Sequence, residues 1–86
     1  MRAYSLRYTV PAVDGLFGFP KRTAAVLHRN LLVLARNQPM PLEPPAFVDA
    51  EGHEVFRVFL SRAAVEYWID HASREWVVTD IKRFSL

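Results

Sequence analysis

Residues 55–84, VFRVFLSRAAVEYWIDHASREWVVTDIKRF, contain no proline, are rich in β-branched and aromatic residues, and carry apolar or β-branched residues at every second position in three successive stretches. A period of two is typical of half-buried strands. The first stretch ends in a turn at 61–64, and the second ends in the polar segment 70–74. Connections this short require antiparallel pairing. We therefore predict a β-meander, preceded by a short edge strand at Phe47-Val48.

The last stretch, 76–84, decides which cations of the chain end share a face. Unbroken alternation puts Val77, Thr79 and Ile81 on one face of this strand and Trp76 and Val78 on the other. By the same counting, Lys82 and Arg83 lie on opposite faces.

The N-terminal half contributes a strand and a helical segment. Residues 4–10 alternate, which predicts a strand that ends at Pro11. Residues 21–37 carry apolar residues at three- and four-residue spacing directly after Pro20, which predicts an amphipathic helix. A separate short helix is predicted over 14–19, and the four prolines within 39–45 predict an extended connector.

Together these elements predict one α+β domain spanning residues 1–86. Its small antiparallel sheet has the order β-α-β-β-β, and the helical segment packs on one face of the sheet. A chain of 86 residues is near the lower limit for a self-sufficient core, so a second domain is not expected.

Composition excludes several classes of site. The chain has no cysteine, and its three histidines, His28, His53 and His71, lack metal-ligand spacing. No glycine-rich phosphate motif is present, so we expect neither a metal nor a cofactor.

The longest apolar run, 31–35, is far shorter than the roughly 20 residues that cross a bilayer. The first residues also lack the apolar core of a secretion signal, so we expect a cytoplasmic protein without membrane contact.

Charge is distributed unequally along the chain. Residues 1–44 contain six Lys or Arg and two acidic residues, whereas residues 45–86 contain five and seven. A basic half indicates an anionic partner such as nucleic acid. The alternative is a solvated helix face with no partner.

Several cations of the meander are candidates for a phosphate site. Arg57, Lys82 and Arg83 are expected to border one groove, together with His53 before the first meander strand. Cations that follow phosphates beside aromatic rings suit single-stranded nucleic acid. The same cations would stabilise the charge that develops when RNA is cleaved.

Each of these residues also has a structural interpretation. Arg57 can pair with Glu66 or Glu54 across the ladder, as cross-strand charges often do. The dipeptide 82–83 can be a charged chain end, and His53 can be an ordinary loop histidine. The residue pattern alone leaves these alternatives open.

The segment Phe56–Asp70 resembles a block of the RelE/ParE family of bacterial toxins, which belong to toxin–antitoxin pairs. Arg57 falls on the first arginine of that block, Tyr67 on its tyrosine and Asp70 on the aspartate before the turn. Residues 76–84 are similar to the final strand of the family. The resemblance implies that the chain is a RelE/ParE-like toxin domain.

The chain departs from the family pattern at three places. Ala64 stands where the family usually has a second arginine, and Phe84 stands near its terminal tyrosine without the hydroxyl. Ser61-Arg62 replaces the usual Gly-Asp turn. The fold is therefore better supported by the resemblance than the catalytic set.

The resemblance implies the toxin component of a type II toxin–antitoxin system. In the family, a ribosome-dependent endoribonuclease inhibits translation by cleaving mRNA through attack of a 2′-hydroxyl on the adjacent phosphate. On this resemblance the catalytic residues are Arg57, Arg83 and His53, and the substrate-binding residues are Lys82, Arg62 and Phe84.

The implied partners are a cognate antitoxin protein, the ribosome and mRNA. One alternative is a ParE-like inhibitor of DNA gyrase without nuclease activity, which the incomplete catalytic set favours. The other is a small non-catalytic binding protein of the same fold.

Overall fold

The computed structural model describes residues 3–84, so Arg2, one of the cations of the basic half, lies outside the described residues. Their elements are, in chain order, β1 (Ser5–Tyr8), α1 (Val10–Phe17), α2 (Lys21–Asn37), β2 (Phe47–Val48), β3 (Glu54–Leu60), β4 (Ala63–Asp70) and β5 (Glu75–Arg83). The strands form one sheet in the order β1-β5-β4-β3-β2, and both helices contribute to the core on one of its faces. The predicted α+β fold is confirmed.

The sheet is mixed. Strands β2 to β5 pair antiparallel, as the short turns predict. Strand β1, in contrast, runs parallel to β5, from Ser5 opposite Glu75 to Tyr8 opposite Val78. The helices and the other strands supply the long crossover that a parallel pair requires. Local alternation does not encode the direction of such a distant neighbour, so sequence analysis described the sheet as antiparallel throughout.

Helix α1 begins four residues before the predicted start. Pro11 lies in its first turn, where a missing N–H does no harm, so this proline helps to begin a helix. Val10 is 75% exposed and does not continue the apolar face of β1. At Gly15, an added Cβ would run into the carbonyl oxygen of Ile81. The absence of a side chain at this position allows α1 to lie close against β5.

Helix α2 has the predicted bounds. Its apolar stripe buries Leu27, Leu31 and Ala35 completely against the sheet. Pro20 precedes the helix, and its first turn contains no acidic residue. Within residues 3–84, neither helix is long and apolar enough to cross a membrane.

The core lies between the helices and the covered face of the sheet. Its buried members are Ala12, Leu27, Leu31, Ala35, Ala63, Val65, Tyr67, Trp76, Val78 and Ile81. The Trp76 ring stacks on Tyr67 with centroids 4.0 Å apart, and its indole N–H donates to the carbonyl of Pro39 at 3.0 Å. Burial raises the pKa of Tyr67 to about 12. The tyrosine that matches the family block therefore lies in the core and keeps a neutral hydroxyl.

A β-bulge interrupts the ladder between β4 and β5. Glu66 lies opposite Asp80 and Tyr67 lies opposite Val78, so Thr79 is an extra residue in β5. The Thr79 hydroxyl donates to the carbonyl of Glu66 at 3.3 Å.

The bulge reverses the alternation of side chains in the rest of β5, because an extra residue shifts every later side chain to the other face. Ile81 joins Val78 in the core, so the predicted grouping of Ile81 with Val77 and Thr79 is wrong. Arg83 follows Ile81 onto the helix-covered face. Position 82 consequently lies on the open face.

Candidate anion-binding site

A cleft of about 590 Å³ opens where three segments of the chain meet. They are the junction between α1 and α2, the turn between β3 and β4, and the end of β5. Its lining residues are Phe19, Pro20, Thr23, Ser61, Arg62, Arg83 and Phe84. The cleft therefore combines two guanidinium groups with aromatic rings and hydroxyls.

Arg83 is held in this cleft by two contacts with the junction between the helices. Its Nη2 donates to the carbonyl oxygen of Gly18 at 3.3 Å, and its guanidinium carbon lies 5.4 Å from the centroid of the Phe19 ring. Both contacts orient the side chain, and neither of them neutralises its positive charge. No carboxylate pairs with Arg83 among residues 3–84.

Arg62 lies in a two-residue turn with an unfavourable backbone. The φ angles are 49° at Ser61 and 64° at Arg62, which is the left-handed region. Two-residue hairpins of this kind prefer Asn-Gly, because each residue with a Cβ costs roughly 1–2 kcal/mol there. The Arg62 carbonyl accepts the Phe84 N–H at 2.7 Å, which ties the turn to the end of β5. Both residues of the turn therefore carry side chains at positions that glycine or asparagine would occupy with less strain.

Replacing Arg62 with glycine is expected to stabilise the fold, because glycine adopts the left-handed conformation without the steric penalty. We expect the free energy of unfolding to rise by about 1 kcal/mol and Tm to rise by about 4–8 °C. Thermal unfolding followed by circular dichroism measures both. Ser61→Asn is the matched control, since it relieves strain at the neighbouring residue and keeps the cation. An unchanged or lower Tm for Arg62→Gly would show that the left-handed backbone at Arg62 is not strained.

Three other cations of the sheet are paired with carboxylates. Arg57 donates to Oε2 of Glu66 from Nε at 3.1 Å and from Nη2 at 2.6 Å. This confirms the structural interpretation of Arg57 as a cross-strand partner of Glu66. Two further ion pairs, each at 3.4 Å, are Lys82–Asp80 and Arg7–Glu75.

His53 lies at the end of β3 remote from the cleft. Its ring stacks on Trp68 with centroids 3.8 Å apart, and its Nδ1 is 3.2 Å from Oδ2 of Asp49. The backbone N–H of His53 donates to the same carboxylate at 2.8 Å, and this hydrogen bond lowers the pKa of Asp49. The seven residues of β3, at about 3.3 Å each, separate His53 from Arg62 by roughly 23 Å.

The six residues predicted from the sequence therefore separate into two sets. The structure brings together Arg62, Arg83 and Phe84, and it leaves Arg57, Lys82 and His53 outside the cleft. The predicted common groove is wrong, because Arg83 lies on the helix-covered face after the bulge, whereas Lys82 lies on the open face with Arg57. His53 is separated by the length of β3.

Sequence analysis missed the helix-junction side of the cleft. Phe19, Pro20 and Thr23 line it, and none of them belongs to a recognisable chemical motif. They reach the turn at 61–62 only through the packing of α1 on β5. The sequence contained one signal for this side of the cleft. Pro20 marks the start of a helix, and the chain changes direction where one helix ends and the next begins.

Solved structures provide the comparison for this fold. A chain of the RelBE2 toxin–antitoxin complex from Mycobacterium tuberculosis matches with a TM-score of 0.76 at 21% identity, covering 96% of this chain and 93% of that chain. The chain has the RelE fold. This confirms the resemblance inferred from residues 56–84.

Two further structures with the RelE fold match at lower identity. The isolated Escherichia coli RelE toxin matches with a TM-score of 0.73 at 13% identity, over 98% of this chain and 87% of that chain. The archaeal RelE–RelB complex from Pyrococcus horikoshii matches with a TM-score of 0.70 at 16% identity, over 95% and 96%. No family model matches the sequence, and no curated protein matches it.

The chemistry available in the cleft is binding and charge stabilisation. Two guanidinium groups without carboxylate partners suit phosphate oxygens. Phe84 is 39% exposed and packs beside Phe59 with centroids 4.9 Å apart, which leaves aromatic surface for a base. Within the described part of the chain, the lining contains no histidine, carboxylate, lysine or tyrosine. The cleft therefore offers charge and stacking, and no side chain in its lining is suited to accept a proton.

Proposed function

We propose that this protein is the toxin of a type II toxin–antitoxin system, and that Arg62 and Arg83 bind the phosphate backbone of mRNA in the ribosomal A site. The observation that carries the proposal is a pair of guanidinium groups, free of carboxylates among residues 3–84, in one cleft of a RelE fold. Phe84 beside them supports a single-stranded substrate, because an unpaired base exposes its face for stacking.

In the proposed reaction the 2′-oxygen of one nucleotide attacks the adjacent phosphorus, and the bond from phosphorus to the 5′-oxygen breaks. The products are a 2′,3′-cyclic phosphate and a 5′-hydroxyl. Arg62 and Arg83 stabilise the negative charge that develops on the phosphoryl oxygens. The 2′-hydroxyl proton leaves to solvent or to a ribosomal group, and the leaving 5′-oxygen takes a proton from the same sources.

Because the arginines supply only charge stabilisation in this reaction, the toxin is expected to depend on the ribosome. Among residues 3–84 the lining of the cleft supplies no proton carrier, so most of the rate comes from charge stabilisation and from holding the attacking oxygen in line. The ribosome positions the mRNA, and the toxin adds the cations. Free RNA, which is not positioned, is expected to be a poor substrate.

The proposed partner that restrains the toxin is a RelB-type antitoxin. Three of the matching structures are complexes of a RelE-type protein with a RelB-type partner. We propose that an antitoxin segment covers the cleft of this chain and pairs carboxylates with Arg62 and Arg83. Such a contact neutralises both cations and blocks the substrate.

A gyrase-directed toxin is the second candidate. The lack of a proton acceptor in the described lining favours it, because inhibition by binding requires no proton transfer. In that case the two arginines would contact an acidic surface of gyrase.

Inducible expression followed by pulse labelling of protein and DNA synthesis tests these functions. We expect protein synthesis to stop first and growth to arrest. Arrest of DNA synthesis first would indicate gyrase, and normal growth would contradict a toxin. The matched control is the double variant Arg62→Gln/Arg83→Gln, which should accumulate as folded protein and permit growth.

A further inference from the structure

The solvent side of α2 carries a regular stripe of five residues that the cleft does not use. Its members, spaced four, three, four and three residues apart, are Arg22, Val26, Arg29, Val33 and Arg36. At about 100° per residue they lie along one line of the helix, opposite the buried Leu27 and Leu31. All five are exposed, and Val26 and Val33 have 37% and 51% of their surface in contact with solvent. We call this set the Arg–Val stripe.

The charges of the Arg–Val stripe have no partner within the described chain. No carboxylate of residues 3–84 forms an ion pair with Arg22, Arg29 or Arg36. Three cations of the sheet, Arg7, Arg57 and Lys82, are paired with carboxylates, as described above. A row of uncompensated positive charge attracts a partner of negative charge.

The spacing of the stripe favours a helix as that partner. Alternating steps of three and four residues form the seam of helices that pack side by side, with β-branched residues well suited to the contact. From Arg22 to Arg36 the stripe extends over about 21 Å, which equals roughly four turns of a partner helix. The exposed valines give such a helix an apolar contact between the charges.

We propose that the Arg–Val stripe docks an acidic amphipathic helix of another protein. Apolar side chains of that helix pack against Val26 and Val33, and its carboxylates face Arg22, Arg29 and Arg36. A second copy of this chain is disfavoured, because two such stripes would place arginines against arginines. Nucleic acid would use the arginines and gain nothing from the valines. None of the five residues lines the cleft, so the inference stands without the proposed toxin activity.

A synthetic probe tests the surface on the full chain. The probe is a fluorescein-labelled peptide of about 21 residues, three heptads with leucine at the two seam positions and glutamate beside them. Fluorescence anisotropy should show saturable binding that weakens about tenfold with Arg29→Glu and about tenfold with Val26→Ser/Val33→Ser. Lys21→Glu is the matched control, since it makes the same charge change on the same helix outside the stripe. It should change affinity by less than about twofold.

A charge exchange provides the second arm. The triple variant Arg22→Glu/Arg29→Glu/Arg36→Glu should bind the same peptide with lysine in place of glutamate, and the unaltered chain should not. Circular dichroism confirms that each variant is folded. Equal loss of binding with Lys21→Glu would overturn the proposal in favour of diffuse charge. Binding of a single-stranded RNA that depends on Arg29 and outcompetes the peptide would overturn it in favour of nucleic acid.

Discussion

Replacing Gly15 with alanine is expected to destabilise the fold by about 2–3 kcal/mol, the upper part of the range for overpacking. The added methyl group would meet the carbonyl oxygen of Ile81, which belongs to the backbone of β5 and has no rotamer with which to move away. Alanine favours a helix over glycine by up to about 1 kcal/mol, and the clash must exceed that gain. The clash is relieved only when α1 moves away from the sheet, and this movement exposes the buried Ala12.

Urea unfolding at 25 °C measures this effect. Gly18→Ala is the matched control in the same segment, because Gly18 has an ordinary helical φ of −71°. A Cβ added there would lie 3.3 Å from the carbonyl oxygen of Gly15 and would not meet β5. We expect Gly18→Ala to change stability by less than about 1 kcal/mol. Equal stability of the two variants would show that α1 does not approach β5 as closely as described.

Replacing Arg83 with glutamine is expected to reduce cleavage of mRNA on programmed ribosomes by about 10²–10³-fold, the loss typical of removing one charge-stabilising donor. Glutamine keeps much of the length and polarity of the side chain and removes the charge. Arg83→Lys should recover only part of the rate, because an ammonium group lacks the planar fork that matches phosphate oxygens. Single-turnover cleavage rates at saturating ribosome concentration provide the measurement.

Arg7→Gln is the matched control for this experiment. Arg7 is also a strand arginine, and it forms an ion pair with Glu75. It lies opposite Val77, six residues before Arg83 on β5, which places it roughly 20 Å from the cleft along that strand. We expect it to retain the cleavage rate. Equal rates for Arg83→Gln and the unaltered chain would remove Arg83 from the mechanism. Loss with Arg57→Gln as large as with Arg83→Gln would instead support the groove expected from sequence alone.

Most elements of the fold were predictable because their signals are local. Helix α2 follows from its apolar spacing and Pro20, and the antiparallel meander follows from alternating stretches joined by short turns. The predicted start of α1 was four residues too late, because Pro11 fits both the end of a strand and the first turn of a helix. Gly15 is a poor helix former, yet it is the residue that permits close packing of α1 on β5.

The candidate site was predicted in part. The family resemblance indicated Arg62, Arg83 and Phe84, which do meet in the cleft. The other predicted residues, Arg57, Lys82 and His53, have equally suitable chemistry. Arg57 and Lys82 pair with carboxylates, and His53 lies at the far end of β3, so none of them belongs to the cleft. The partner of Arg57 was visible in the sequence as one of two alternatives, Glu66 and Glu54, and the structure decides for Glu66.

The amino-acid sequence by itself determined the order of helices and strands, the apolar faces and the supply of cations, because these depend on short-range periodicity and residue type. The tertiary structure alone decided that β1 runs parallel to β5 and that Arg83 enters the cleft. The direction of β1 depends on a partner strand far along the chain, beyond the reach of local alternation. For Arg83 the physical reason lies in the extra residue at Thr79, which has no local pattern of its own. It exists only in the pairing between β4 and β5, and it turns every later side chain of β5 to the other face.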